Sequence, residues 1–337
     1  MPSKKVLAIV AVALVVVIVV GAWYWSVISA PPVLTEPVNL KFATNDVGTS
    51  WYLLGGAAGT LLQANLPSGS RVDVLPYAAG VANNILVSNG SVDIACSFTL
   101  TAKLAYVGNN SMYATKLDNL RLLAAPIDQY WFGVAVPKDS DIQSFNDIIN
   151  PKRAIRIGTS TTGGLAEAEF KLMLEAYNLT YRDLQAKGVT ILYTSFPTIQ
   201  NEINAKRLDV VIWVVNPGHP TWSAMFVSPG LRWIPLPDTV VNYLVSKYGL
   251  KADTLRAGLF SGSNAAATVG FYTVLVVRSD MSDALAYNIV KILDAGKSQL
   301  VAAYPASSYW NATQYKDYAV IPYHPGALKY YSEHYGG

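Results

Sequence analysis

The stretch KFATNDVGTSWYLLGGAAGTLLQANL, residues 41–66, decides the fold because it joins a short strand to a long helix through a polar loop. The loop is built from Asn, Asp, Gly, Thr and Ser, and the helix that follows is rich in small apolar residues. Backbone N–H groups at the start of such a helix attract anions. The stretch therefore predicts a strand–loop–helix unit with a candidate ligand cradle in its loop.

A second stretch, IGTSTTGGLAEAEF at residues 157–170, repeats this layout. Each unit continues through further helices and strands, to VDIACSFT at 92–99 in the first and to LDVVIWVV at 208–215 in the second. Strands that alternate with helices predict an α/β fold with parallel sheets covered on both faces. Ligands of such sheets bind beyond the carboxyl ends of the strands, so two units predict two lobes around one cleft.

The predicted lobes are not continuous in sequence. A late strand at 270–280 and a single long helix at 284–304 follow the second unit, and we expect them to return the chain to the first lobe. The predicted division is an anchor or signal with its tether at 1–37, lobe 1 at 38–136 plus 270–337, and lobe 2 at 137–269. A chain of 337 residues is long enough for two such lobes.

Composition excludes several classes of protein. The chain is 52% hydrophobic and 14% charged, with a net charge of +3, which is typical of a globular protein without a polyanionic partner. No stripe of Lys and Arg interleaved with aromatic residues is present, so nucleic acid is not expected as a partner. The single cysteine, Cys96, excludes an intramolecular disulfide and lies in an apolar strand pattern typical of a buried residue.

The N-terminus predicts export from the cytoplasm. Lys4 and Lys5 precede an apolar run from Val6 to Trp25, which is long enough to span a bilayer with the N-terminus inside. The alternative is a signal peptide cleaved after Ala30. Either form places the remaining chain outside the cytoplasm. Four Asn-x-Ser/Thr sequons agree with export, at Asn89, Asn109, Asn178 and Asn311.

Motifs for enzyme chemistry are missing from the sequence. The second loop has glycines at both ends of a phosphate-loop pattern, but Gly164 stands where the lysine belongs. The three histidines form no metal-binding pair, and no G-x-S-x-G motif occurs. Glu167 and Glu169 are two apart on a helix and are interpreted as a solvated surface. We therefore expect no catalytic residue, no metal and no cofactor.

The whole pattern resembles the TAXI family of solute receptors that serve TRAP transporters. The resemblance runs from residue 39 to 334 and includes both loops, the segment YAAGVANNILVSNGSVDIACSF and the segment INAKRLDVVIWVV. The tail IPYHPGALKYYSEH is its most specific part, with the residues Tyr323, His324, Pro325, Gly326, Ala327, Tyr330 and Tyr331.

This resemblance implies a type II periplasmic-binding-protein fold whose two lobes close on a small organic solute. It implies a carboxylate or amino-acid-like ligand, no chemistry, and delivery to separate TRAP-type permease subunits in the membrane. By position, the implied ligand contacts are Asp46, Gly48, Thr49, Ser50, Trp51, Gly80, Asn83, Ser97, Phe98, Thr99, Tyr130, Ser160, Thr161, Thr162, Gly163 and Trp213.

The sequence also departs from this family. The first loop, which is usually Gly and Thr, here carries Asn45 and Asp46, and a stretch that usually reads Gln-Ser-Asp is Ser-Phe-Thr at 97–99. An acidic side chain in the cleft disfavours a dicarboxylate and favours a zwitterion or a mainly apolar carboxylate. If Asp46 instead faces solvent, the loop holds the solute by backbone and hydroxyl groups. A sensor ectodomain and a binding protein of an ABC importer remain alternative functions.

Overall fold

Two sheets are joined through two long strands, β5 and β11. The computed structural model describes residues 33–77, 80–110 and 112–336. The eleven strands are β1 (Asn39–Ala43), β2 (Arg71–Leu75), β3 (Ile94–Phe98), β4 (Leu120–Ala124), β5 (Gln129–Pro137), β6 (Ile155–Thr159), β7 (Val189–Tyr193), β8 (Val210–Val215), β9 (Leu231–Trp233), β10 (Lys251–Leu255) and β11 (Ala266–Arg278).

Helices cover both sheets. They are α1 (Ser50–Asn65), α2 (Ala82–Ser88), α3 (Thr99–Val107), α4 (Phe145–Ile149), α5 (Leu165–Glu175), α6 (Tyr181–Ala186), α7 (Phe196–Asn204), α8 (Pro220–Val227), α9 (Asp238–Tyr248), α10 (Asp283–Ala295), α11 (Lys297–Ala303) and α12 (Pro325–Tyr335). Two 3₁₀ helices, Pro305–Tyr309 and Ala312–Tyr318, connect α11 to the tail.

The strand order is β2-β1-β3-β11-β5-β8-β6-β7, with β4 and β10 also on β11 and β9 on β5. The strands within each predicted unit are parallel, as β1 pairs with β2 and β3 and β6 pairs with β7 and β8. Strands β5, β9, β10 and β11 are antiparallel to their neighbours, which the expectation of parallel sheets missed. We call β1–β4 with the C-terminal part of β11 the first lobe and β6–β10 with its N-terminal part the second, and β5 pairs with both β11 and β8 between them.

The small residues of α1 allow it to lie close to the sheet. A Cβ on Gly59 would lie 2.7 Å from Cγ2 of Val74, and one on Gly55 would lie 2.2 Å from Cγ2 of Thr44. Gly296 has a related role because a Cβ there would lie 2.1 Å from Cδ2 of Leu61. The predicted single helix at 284–304 is therefore two helices, α10 and α11, which meet at this glycine.

The tail closes the first lobe by packing and hydrogen bonds. His324 caps α12 through its Nδ1, which accepts from the backbone N–H of Gly326 at 3.2 Å. The Tyr323 hydroxyl donates to the carbonyl of Tyr315 at 3.0 Å, and the backbone N–H of His324 donates to the carbonyl of Leu122 at 2.8 Å. The segment that carried most of the family resemblance thus holds the C-terminus on β4.

Several predictions concern the surface and the N-terminus. The asparagines of all four sequons are exposed, while Cys96 is buried as predicted. The predicted span from Val6 to Trp25 and the cleavage site at Ala30 lie outside the described residues. Within residues 33–77, 80–110 and 112–336, no helix is long and apolar enough to cross a membrane.

Replacing Gly326 by alanine tests the packing of the tail. The new Cβ would lie 2.1 Å from the carbonyl oxygen of Asp283, so Gly326→Ala should destabilise the fold by about 1–3 kcal/mol. Gly56→Ala is the control, because a Cβ there meets no atom within 4 Å, and alanine should be neutral or mildly stabilising in a helix. Urea unfolding measures both, and equal stabilities of the two variants would contradict the packing described.

Candidate functional site

A hydrogen bond joins the loops at the carboxyl ends of the two sheets. Nδ2 of Asn216, which follows β8, donates to Oγ of Ser50, the first residue of α1, at 3.0 Å. We call this contact the cross-cleft bond. It joins the first predicted loop to the segment that follows the last strand of the second unit.

The first loop is ordered by its own backbone and hydroxyls. Thr49 caps α1, since its Oγ1 donates to the carbonyl of Asp46 at 2.7 Å and accepts from the N–H of Tyr52 at 3.4 Å. Gly48 supplies the required turn at φ +88°. The Asp46 side chain is exposed and forms no ion pair with any described residue. The loop therefore presents an uncompensated carboxylate beside the N-terminus of α1.

Aromatic side chains pack together beside the strands β5 and β11, in a buried cluster that we call the aromatic floor. The ring of Trp51 lies 4.3 Å from that of Phe98, which in turn lies 5.0 Å from Tyr130 and 4.9 Å from Phe271. A Cβ on Gly80 would lie 3.2 Å from the Phe98 ring. Four predicted contacts, Trp51, Gly80, Phe98 and Tyr130, are thus brought together in one buried cluster.

Three other predicted contacts, Asn83, Ser97 and Thr99, form hydrogen bonds within the protein. Nδ2 of Asn83 donates to the carbonyls of Thr44 and Cys96 at 2.8 and 2.9 Å. Ser97 and Thr101 share a hydrogen bond of 3.1 Å, and Oγ1 of Thr99 accepts from a strand β11 N–H at 3.2 Å. Oδ1 of Asn83 is buried without a hydrogen-bond partner among the described residues.

The second loop is occupied by an acidic side chain of its own helix. Oγ of Ser160 accepts from the N–H of Glu167 at 3.0 Å, and the N–H of Gly163 donates to Oε2 of Glu167 at 3.4 Å. Oε1 of Glu167 pairs with Nζ of Lys171 at 2.6 Å. The N-terminus of α5 therefore already carries a carboxylate. Of the remaining predicted contacts here, Thr161 and Thr162 are exposed.

The interpretation of Glu167 and Glu169 as a solvated surface is wrong. Glu167 is 2% exposed because α6 covers this turn of α5, and the Tyr181 hydroxyl donates to the Glu167 carbonyl at 2.7 Å. Glu169 is fully buried with both carboxyl oxygens unpartnered, and burial raises its pKa well above the usual range. Spacing alone did not reveal this burial, because α5 is enclosed on nearly every side.

In the second lobe Trp213 stacks on Phe196 with ring centroids 4.4 Å apart and planes 1° from parallel. His219 meets Phe196 edge-on at 5.1 Å, and its Nδ1 accepts from the N–H of Thr221 at 3.2 Å. Burial lowers the pKa of His219 to about 4, so its imidazole is neutral at pH 7. Sequence reasoning missed Asn216, His219 and Phe196, although the NPGHP loop directly after a strand end was the available signal.

A buried carboxyl group lies below the aromatic floor and was not predicted. Asp128 is 0% exposed, and its Oδ2 accepts from the Tyr304 hydroxyl at 2.5 Å. Burial raises the pKa of Asp128 to about 6, against the opposing effect of hydrogen bonds from Thr273 and Tyr304. Nothing in the local sequence marks Asp128, because Tyr304 is 176 positions away along the chain.

Lys171 beside the second loop is paired with Glu167, and no cluster of metal-binding side chains occurs within the described residues. A separate groove of about 780 Å³ lies on the outer side of the first lobe, between α1 and the edge strand β2. It shares no residue with the cleft loops.

The fold is shared with solved binding proteins. The chain superimposes on the binding protein component of an ABC phosphonate transporter from Pseudomonas aeruginosa with a TM-score of 0.51 and 14% identity, over 82% of this chain and 80% of that one. It superimposes on the ATP-bound protein XAC2383 from Xanthomonas citri with a TM-score of 0.51 and 12% identity, over 88% and 94%. The chain therefore shares the α/β fold of these two proteins.

The profile of the NMT1-like family matches residues 42–334, which is most of the chain. The protein belongs to the NMT1-like family. No curated protein sequence matches it.

The pH dependence of stability tests the burial of Asp128. Its pKa of about 6 exceeds the value of about 3.9 in an unfolded chain, so the native state binds this proton more tightly. The contribution of Asp128 to the free energy of unfolding should therefore fall by up to about 3 kcal/mol as pH rises from about 4 to about 7. Urea unfolding of wild type and Asp128→Asn across this range measures the effect. A difference in unfolding free energy between the two proteins that stayed constant with pH would contradict the raised pKa of Asp128.

Proposed function

We propose that this protein is the extracytoplasmic solute-binding receptor of a TRAP-type secondary transporter, with a type II periplasmic-binding-protein fold. The observation that carries the proposal is the cross-cleft bond between Ser50 and Asn216, because it joins the first glycine-rich loop to the loop that follows the last strand of the second unit. Membership of the NMT1-like family and the fold of solved binding proteins support it. The division into lobes at 136/137 and 269/270 is part of the proposal.

The proposed solute is a small carboxylate or amino-acid-like molecule. The N-terminus of α1, with Thr49 and Ser50, offers N–H and hydroxyl donors to one carboxylate. Asp46 adds an exposed carboxylate at the first loop, whereas Glu167 at the second loop is paired with Lys171. A second negative charge on the solute would be repelled, so we favour a zwitterion or a monocarboxylate over a dicarboxylate. The sixteen predicted contacts remain the proposed binding residues.

We propose that the protein performs no chemistry on the solute. Cys96, its single thiol, is fully buried, and burial raises its pKa well above the usual range. A thiol must ionise to act as a nucleophile, so this residue is poorly suited to catalysis. The neutral imidazole of His219 faces Phe196 and uses Nδ1 for a helix cap.

The proposed location is the outer face of the cytoplasmic membrane, through an uncleaved helix at Val6–Trp25 or by secretion after cleavage. The proposed partners are the multi-span permease subunits of the transporter, which a gene beside this one should encode. A binding protein of an ABC importer is the second candidate, since one solved protein of this fold belongs to an ABC phosphonate transporter. A neighbouring gene for an ATPase would favour the ABC importer over the TRAP transporter.

Thermal unfolding of the full-length chain with a panel of amino acids, 2-oxoacids and dicarboxylates tests solute binding. A solute at one hundred times its Kd should add about 2.7 kcal/mol of stability and raise Tm by several degrees. Ser50→Ala should weaken binding by about tenfold through loss of one hydrogen bond. Thr60→Ala is the control, because Thr60 is exposed on the same helix and borders the outer groove.

The relative size of the Tm shifts across the panel tests which charge the solute carries. We expect zwitterionic amino acids or monocarboxylates to shift Tm more than dicarboxylates do. A panel that left Tm unchanged, or a Ser50→Ala variant with the full shift, would argue strongly against the proposed cleft.

A further inference from the structure

Strand β2 forms the outer edge of the sheet in the first lobe. It pairs with β1 on one side, and no described strand pairs with its other side. The N–H of Arg71 points towards β1, because it donates to the carbonyl of Val38 at 2.8 Å. Backbone groups of successive residues point to opposite sides of a strand, so those of Val72 and Val74 point away from β1.

A side chain of α1 occupies part of this outer edge. The outward N–H of Val72 donates to Oε1 of Gln63 at 3.2 Å. Gln63 is exposed, and it lines the outer groove between α1 and β2 together with the small residues Gly59 and Ala64. A backbone carbonyl of another strand can replace this amide oxygen as the acceptor. The outer edge of β2 is therefore shielded by one exposed side chain and is open to strand addition.

The charges on β2 differ from those of a protected edge. Edge strands are commonly kept apart by proline, by bulges or by charges of one sign. The strand RVDVL has no proline, and its register with β1 is unbroken. Arg71 and Asp73 carry opposite charges on the same face of the strand, where they form an ion pair at 2.7 Å with side chains 70% and 43% exposed.

This pair of charges is complementary to itself when two copies of β2 run antiparallel. In a two-fold interface residue i faces residue j, and j faces i. With the axis at Val72, each Arg71 lies opposite Asp73 of the second copy, and two pairs of opposite charge form. An axis at Asp73 would place two carboxylates opposite each other, and one at Val74 would place Asp73 opposite Leu75. Charge therefore selects the register centred on Val72.

The same register satisfies outward backbone groups of β2. Val72 exchanges both of its backbone hydrogen bonds with Val72 of the second copy, and the N–H of Val74 meets the carbonyl of Ser70. The two sheets then continue into each other. Because the axis is perpendicular to the sheet, both α1 helices lie on the same face of it, side by side, and the two outer grooves meet between them.

We propose that the outer edge of β2 is a dimerisation site and that its partner is a second copy of this chain, paired antiparallel about Val72. Gln63 is displaced from the Val72 N–H when the copies join. The site goes beyond the proposed solute binding, since the cleft loops contribute no residue to it.

The mass of the full-length chain in solution tests this inference. Light scattering on size-exclusion eluates should give a mass that rises with concentration from that of one chain towards that of two. Arg71→Asp places carboxylates opposite each other twice in the interface and should weaken association by about tenfold. Arg71→Asp combined with Asp73→Arg restores opposite charges at both places and should restore the association.

Two further variants separate β2 from other causes of association. Gln63→Ala removes the acceptor that competes for the Val72 N–H and should strengthen association by about threefold, whereas general damage to the fold would not. Arg278→Asp is the matched control, because Arg278 and Asp280 are also two apart and form an ion pair at 2.6 Å, but lie at the end of β11. It should leave association unchanged.

The outcomes bear on β2 alone. A mass of one chain at every concentration, or an Arg71→Asp variant that associates like the wild type, would overturn the proposal. So would a charge-swapped double variant that stays monomeric although its thermal unfolding matches that of the wild type. Association through the apolar run at residues 6–25 would not respond to these charges. None of these results would alter the test of solute binding.

Discussion

The structure depends on strand β11, which is hydrogen-bonded to both lobes at once. Its N-terminal half pairs with β10 and β5, and its C-terminal half pairs with β3 and β4. Because β5 runs beside it, two adjacent strands carry the connection between the lobes. Tyr130 of β5 and Phe271 of β11 belong to the aromatic floor, and Asp128 directly precedes β5, so these groups share one support.

Local patterns in the sequence were sufficient for the two strand–loop–helix units. Alternating strands and helices correctly predicted β1 with α1 and β6 with α5, since each element is specified by residues close together in the chain. The small residues of α1 likewise have a local signature. The antiparallel arrangement of β5, β10 and β11 has none, because strand direction depends on which lobe the chain returns to.

The interactions that define the site are long-range, which is why the sequence did not reveal them. Ser50 and Asn216 are 166 positions apart, and Asp128 and Tyr304 are 176 apart. The burial of Glu167 depends on Tyr181 from the following helix rather than on its own spacing. The Asp46 side chain is exposed, and its loop is ordered by the cap that Thr49 forms on α1.

The central claim is that one solute is held between the lobes, in contact with both. The most direct test is a crystal structure of the protein purified from its source with a retained solute. We predict that the solute contacts the loop at Thr49–Ser50 on one side and Trp213 or Asn216 on the other. A solute bound instead in the outer groove between α1 and β2, with the cleft loops untouched, would contradict the account.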